Sequence, residues 1–200
     1  SQLPETPLVE LDGETFVKCE EKQPYSGTHK DRKSATVLRR LGQHHSYHLA
    51  LLTAGNAGIS LAKMAQTVQG KVITVTSVVD STVPDNIIDA LRKAGSRVVT
   101  VEHAYKLDSA GIKNAARGGP VGHVRDVTSG YKDAYYMLYR EIMRQCSDCD
   151  SIVCPVGSGE LFSSLVSDIG NDSIRLWGVV PATSPSRADK LLQQNRGRTK

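Results

Sequence analysis

Short β-branched runs alternate with stretches of helical periodicity along nearly the whole chain, and that alternation leaves few folds open. His48–Thr53 (HLALLT), Val72–Thr76 (VITVT), Arg97–Val101 (RVVTV) and Ile152–Val156 (IVCPV) read as buried parallel strands. Leu176–Val180 (LWGVV) is a fifth, and Thr15–Cys19 (TFVKC) opens the series as a sixth. Helices are expected over Gly58–Val68, Pro84–Lys93, Asp133–Cys146 and Leu161–Ile169. Pro84 suits a helix start, where its missing N–H would have no partner anyway. Ala104–Val121, with Gly111, Gly118, Gly119 and Pro120, lacks a clear period and is expected to connect its neighbours through a short helix. The whole pattern predicts an α/β chain: doubly wound, mostly parallel sheets with helices on both faces.

Composition narrows the function classes. The 200 residues are 39% hydrophobic and 23% charged, enough for a real core. No apolar run approaches the ~20 residues of a membrane helix, and the opening SQLPETPLVELDGE has neither the basic nor the apolar region of a signal peptide. A cytoplasmic protein without a membrane partner is the expectation. The net charge of +4 owes much to Arg196, Arg198 and Lys200, expected to form a solvated tail. Aromatic residues are only 5%, and no basic, aromatic-rich strand exists, so no nucleic-acid partner is expected. Of the four cysteines (Cys19, Cys146, Cys149 and Cys154), Cys146 and Cys149 have metal or redox spacing. There is no second such pair, however, and the pair closes a helical pattern where a redox motif would open one. A structural or incidental role is expected, and no metal site.

Ligands of doubly wound sheets sit beyond the carboxyl ends of the strands, in turns that lead into helices. Two such turns are rich in glycine: Thr53-Ala54-Gly55-Asn56-Ala57-Gly58 and Pro155-Val156-Gly157-Ser158-Gly159-Glu160. Glycine lets the backbone approach a ligand closely, and the first N–H groups of a helix favour an anion. Either turn alone could be an ordinary tight βα connection. A third segment lies upstream, Pro24-Tyr25-Ser26-Gly27-Thr28-His29-Lys30-Asp31-Arg32-Lys33-Ser34, between the first strand and the first helix. A loop lysine is usually a solvated charge. Next to a phosphate-binding turn it becomes a candidate Schiff-base amine, which desolvation or a nearby cation would activate by lowering its pKa. His29, Arg32 and Lys33 are expected to supply that positive charge.

Taken in order, Glu5-Thr6-Pro7-Leu8-Val9-Glu10-Leu11, SGTHKDRKS, TAGNAG, PVGSGE and Trp177-Gly178-Val179-Val180-Pro181 resemble the fold type II pyridoxal-phosphate enzymes. That group holds the cysteine synthases, threonine synthases, threonine dehydratases and the tryptophan synthase β chain. The resemblance implies pyridoxal 5'-phosphate as cofactor, with Lys30 as its Schiff-base residue and the later acid/base at the substrate Cα. It implies that Asn56 hydrogen-bonds the 3′-oxygen of the pyridine ring. Thr53, Ala54, Gly55, Asn56 and Ala57 would grip the substrate carboxylate. Gly157, Ser158, Gly159, Glu160 and Leu161 would hold the cofactor phosphate. A small amino acid is the implied substrate, and β- or γ-elimination or replacement the reaction, threonine-synthase-like or cysteine-synthase-like.

The chain departs from the family pattern in three places. Ala54 and Ala57 stand where relatives often carry hydroxyls, leaving carboxylate capture to backbone N–H groups and Thr53. Glu160 stands where a small residue is usual. Unit charges ~4 Å apart repel by about 4 kcal/mol at an effective dielectric of ~20, so its side chain must point away from a bound phosphate. Members of the group also continue well beyond the strand matching LWGVVP. The expected organisation is one α/β region over 1–200, with a smaller subdomain roughly over 40–127 packed on the cofactor-binding part. A homo-oligomer, or a second chain completing the fold, is the expected assembly. A non-catalytic truncated relative that binds a metabolite or partner protein is the alternative.

Overall fold

The computed structural model describes residues 3–119 and 123–180, which divide into two compact units between Gly130 and Tyr131. The basic tail at Arg196, Arg198 and Lys200 lies outside the described residues, as does Pro181.

The first unit opens with β1 (Leu8–Glu10) and β2 (Phe16–Lys18), paired antiparallel with Val9 opposite Val17. The Asp12 carboxylate closes the connection by accepting the N–H of Thr15 at 2.8 Å. The run at Thr15–Cys19 is therefore not a buried parallel strand. Local closure at Asp12 makes it half of a hairpin, with Phe16 and Val17 exposed.

Beyond the hairpin the expected alternation is present. Helix α1 (Lys30–Arg39) precedes β3 (Ser46–Leu52), α2 (Asn56–Ala65), β4 (Val72–Asp80), α3 (Asp85–Lys93), β5 (Arg97–Val101), α4 (Ser109–Ala115) and β6 (Val124–Asp126). Pro84 is the residue before α3, in extended conformation, rather than its first helical residue. The four strands form one parallel sheet in the order β5-β4-β3-β6, with Ser46 opposite Val72 and Ala50 opposite both Thr76 and Asp126. Successive strand residues face opposite sides. Val78 accordingly packs with Ile112 of α4 and Ala116 just beyond it, and Val79 with Ile88 and Leu91 of α3. Both faces of the sheet are thus covered by helices. Each fully buried valine or leucine contributes roughly 1.5–3 kcal/mol relative to an exposed one.

The second unit runs from a 3₁₀ turn (Lys132–Tyr135) into α5 (Tyr136–Gln145), then β7 (Ser151–Pro155), α6 (Glu160–Ile169) and β8 (Arg175–Val179). Strands β7 and β8 pair in parallel, with Cys154 opposite Gly178. Ile152 and Cys154 join Leu138, Ile142, Leu161 and Leu165 in one core. The alternate residues Val153 (67% exposed), Trp177 (57%) and Val179 (55%) do not. These two strands are therefore buried on one face rather than both, because α5 and α6 contribute to a single core layer.

Candidate active site

Lys30 is the first residue of α1, not a member of the loop before it. The loop is fixed by the next residue. Asp31, fully buried, accepts the N–H of Tyr25 at 2.7 Å, the N–H of Ser26 at 3.1 Å and the Ser26 hydroxyl at 2.6 Å. The Ser26 hydroxyl lies 2.8 Å from that of Thr28, whose Oγ1 accepts the N–H of Lys30 at 3.2 Å. A chain of hydrogen bonds from Asp31 through Ser26 and Thr28 thus closes on the backbone of Lys30. Bonds to an ionised carboxylate are roughly twice as strong as neutral ones, so the aspartate anchors the turn.

The three expected neighbouring cations do not survive as a group. Burial, then the charge on Lys30, lowers the pKa of His29 to about 4, so its imidazole is neutral at pH 7. Arg32 is paired with Glu20 at 2.7 Å. Lys33 donates its Nζ to the carbonyl of Thr128 at 2.6 Å. The Lys33 side chain is thus buried, with its ammonium directed at a backbone carbonyl.

The turn after β3 lies in the same unit. The Thr53 hydroxyl oxygen accepts the N–H of Gly55 at 3.0 Å and, at 3.4 Å, that of Gly58, so it serves as the keystone of the turn. Gly55 sits at φ 141°, open to glycine. A side chain at Gly58 would meet Ser77, Leu91 and Thr53, which is why α2 can pack so closely on β4. Ala54 and Asn56 are exposed and Ala57 half-buried. The N–H groups of Asn56 and Ala57, in the first turn of α2, have no acceptor among the described residues. An anionic group fits that turn. Helices α1 and α2 are joined by a buried bond from Ser60 Oγ to Ser34 Oγ at 2.7 Å. Thr128 ties α1 to β3, because its Oγ1 accepts the N–H of Leu52 at 2.9 Å while its carbonyl accepts from Lys33. An open cleft of ≈ 570 Å³ beside Tyr25, Ile59 and Lys63 is lined by neither Lys30, Thr53 nor Asn56, and is a separate feature.

In the second unit, Val156-Gly157-Ser158-Gly159 links β7 to α6. Gly159 has φ 87°, a left-handed conformation that turns the chain into the helix. Gly157 and Ser158 are exposed, and a Cβ at Gly157 would meet nothing within 4 Å. The N–H groups of Gly157, Ser158 and Gly159 have no acceptor among the described residues. Open space and available donors at the start of a ten-residue helix fit a phosphate. Glu160 does not stand idle at that position: its Oε1 accepts the N–H of Tyr131 at 3.4 Å. The four cysteines are free thiols, and no cluster of three or more metal-binding side chains occurs among the described residues.

The supporting roles of several residues are set by distant partners. Asp31 and Arg32 stand in the lysine motif, but their buried roles depend on Ser26 and Glu20. Thr128 carried no signal at all, since its two partners lie 76 and 95 residues away.

Donor-rich turns at the carboxyl ends of parallel strands suit the anionic groups of a ligand. Residues 2–200 match the family of pyridoxal-phosphate dependent enzymes, and the chain belongs to that family. No curated protein matches it. Among solved structures, it is similar to the processed form of threonine deaminase isoform 2 from Solanum lycopersicum (TM-score 0.72, 21% identity, covering 96% of this chain and 55% of that one). It is also similar to serine racemase from Dictyostelium discoideum (0.71, 20%, 96% and 65%). A third is the O-acetylserine dependent cystathionine β-synthase from Helicobacter pylori (0.70, 21%, 91% and 65%). At these identities the likeness concerns the fold. The chain spans between 55% and 65% of the length of these three proteins.

Proposed function

We propose that this chain acts in pyridoxal-phosphate-dependent β- or γ-elimination or replacement on a small amino acid, in the manner of a threonine or cysteine synthase, with Lys30 as the cofactor's attachment point. The observation that carries the assignment is the different fate of three nearby lysines. Lys33 is buried and bonded to the Thr128 carbonyl, and Lys22 is exposed in a surface 3₁₀ turn. Lys30 alone sits at a helix start whose preceding loop is ordered by a buried carboxylate.

Pyridoxal phosphate supplies an electron sink for charge developed at the substrate Cα. In this reading the Lys30 amine moves the Cα proton, and the neutral imidazole of His29 adds no competing charge beside it. The first N–H groups of α2 hold the substrate carboxylate, Asn56 takes the ring oxygen, and Gly157–Leu161 hold the phosphate. Family membership and the open donors in each turn support these roles. The names of the similar structures, which include a threonine deaminase and an O-acetylserine dependent synthase, favour hydroxy or O-substituted amino acids as substrates. Assembly as a homo-oligomer or with a second chain belongs to the same reading.

Borohydride treatment of the cofactor-loaded protein, followed by peptide mapping, tests the attachment point. A reduced adduct on Lys30 is expected; an adduct on Lys22 or Lys33 overturns the assignment. Turnover of serine, threonine, O-acetylserine and phosphohomoserine then sorts the chemistry. A loaded protein that turns over none of them, alone or with a completing chain, favours the non-catalytic alternative.

A further inference from the structure

The pair Cys146 and Cys149 is used by neither proposed site. Both thiols are free and half-buried, so reagents can reach them, unlike the buried Cys19 and Cys154. Cys146 ends α5, donating its N–H to Ile142 at 2.8 Å, and its backbone then leaves the helix at φ −145° and ψ 86°. The chain reverses at once: the N–H of Cys149 reaches back to the carbonyl of Cys146 at 3.4 Å. A turn closed in this way brings the two Cα atoms within about 7 Å, close to the roughly 4.4–6.8 Å that disulfides span.

We propose that Cys146 and Cys149 form a reversible disulfide within the chain, a modification site for small-molecule disulfides. One thiol, as thiolate, attacks the reagent's S–S bond, releases one reagent thiol and leaves a mixed disulfide. The second thiolate then attacks the protein sulfur of that mixed disulfide and expels the other reagent thiol. The protein loses two hydrogens, and the reagent is reduced to two thiols. Burial, then Asp148, raises the pKa of Cys146, and Cys149 adds to the effect through a hydrogen bond and its charge. Exchange needs the thiolate, so oxidation should quicken as the solution becomes alkaline. Cys149 also donates its thiol to the carbonyl of Ser151, the first residue of β7, at 3.1 Å. Oxidation removes that proton, so the modification reaches the strand that leads to the Gly157 turn.

The test treats the purified 200-residue chain with oxidised glutathione under native conditions and maps its peptides. A single link between Cys146 and Cys149, reversed by dithiothreitol, is expected. Cys146→Ser should stop at a glutathione adduct on Cys149. Four unreacted thiols, a persistent mixed disulfide on the unmodified sequence, or a link involving Cys19 or Cys154 would each overturn the proposal. The mapping of the unmodified chain decides the matter even if the variant folds poorly.

Discussion

Arg32 and Glu20 meet at two points, Nε to Oε2 at 2.8 Å and Nη2 to Oε1 at 2.7 Å. Thr6 completes the cluster by donating its hydroxyl to Glu20 Oε1 at 2.6 Å. The pair ties the segment after β2 to the helix that begins with Lys30. Glu20→Ala removes the carboxylate that Arg32 meets at two points and leaves a guanidinium only 6% exposed with its weaker bond to Thr6, at an expected cost of about 3 kcal/mol. Urea unfolding measures it, and a double replacement by apolar residues of similar volume should recover most of the loss.

Asp31→Asn keeps the shape of the side chain but replaces one acceptor oxygen by a donor. The three bonds to Tyr25 and Ser26 cannot all persist, and each bond to a charged group is worth roughly 1.5–3 kcal/mol. The loop before Lys30 should loosen, with weaker cofactor binding and increased hydrogen exchange at Tyr25 and Ser26. An unchanged exchange rate at those amides would contradict the anchoring role.

Substitutions at Gly157 and Gly159 test folding and the proposed phosphate site separately. Gly159 sits at φ 87°, so any side chain there strains the backbone whether or not a phosphate is bound. Gly157 has open space and no such constraint. Gly157→Ala should leave the thermal midpoint within error while weakening pyridoxal phosphate binding. Full affinity in that variant would place the phosphate elsewhere.

Gly58→Ala tests packing. The added methyl would stand 2.6 Å from Leu91 and 3.0 Å from Thr53, both side chains confined in the core. Overpacking of this kind costs typically 1–3 kcal/mol, and calorimetry should show a lowered midpoint.

His29 has a pH signature. Its pKa falls from 6.5 unfolded to about 4 folded, so the unfolded chain binds the extra proton between those values. Stability contributed by this residue is therefore complete above pH 6.5 and is lost as pH falls towards 4. The span corresponds to about 3 kcal/mol. His29→Gln should flatten the stability profile across that window, as measured by urea unfolding at pH 4, 5 and 7.

The sequence carried the sheet far better than the site's supports. Arg97–Val101 was legible to the residue because a β-branched run between turn signals leaves no other reading. The strand Val124–Asp126 was not, because three residues, two of them charged, show no period. The antiparallel pairing of Phe16–Lys18 depended on Asp12 closing a turn, which periodicity does not report. At the site, Lys30 and the glycine turns stood out by residue type and order. The ties made by Asp31, Arg32 and Thr128 depend on partners that only the fold assembles.

The exposed side of β7 and β8 has a practical consequence, because Trp177 is the chain's only tryptophan. Its indole is an intrinsic fluorophore placed in water on that face. Its emission should be red-shifted and readily quenched by iodide in the isolated chain. Anything that comes to lie over Val153 and Val179 will move the spectrum to shorter wavelength and protect it from quencher. The molecule thus carries its own optical gauge of whether that face is wet or covered.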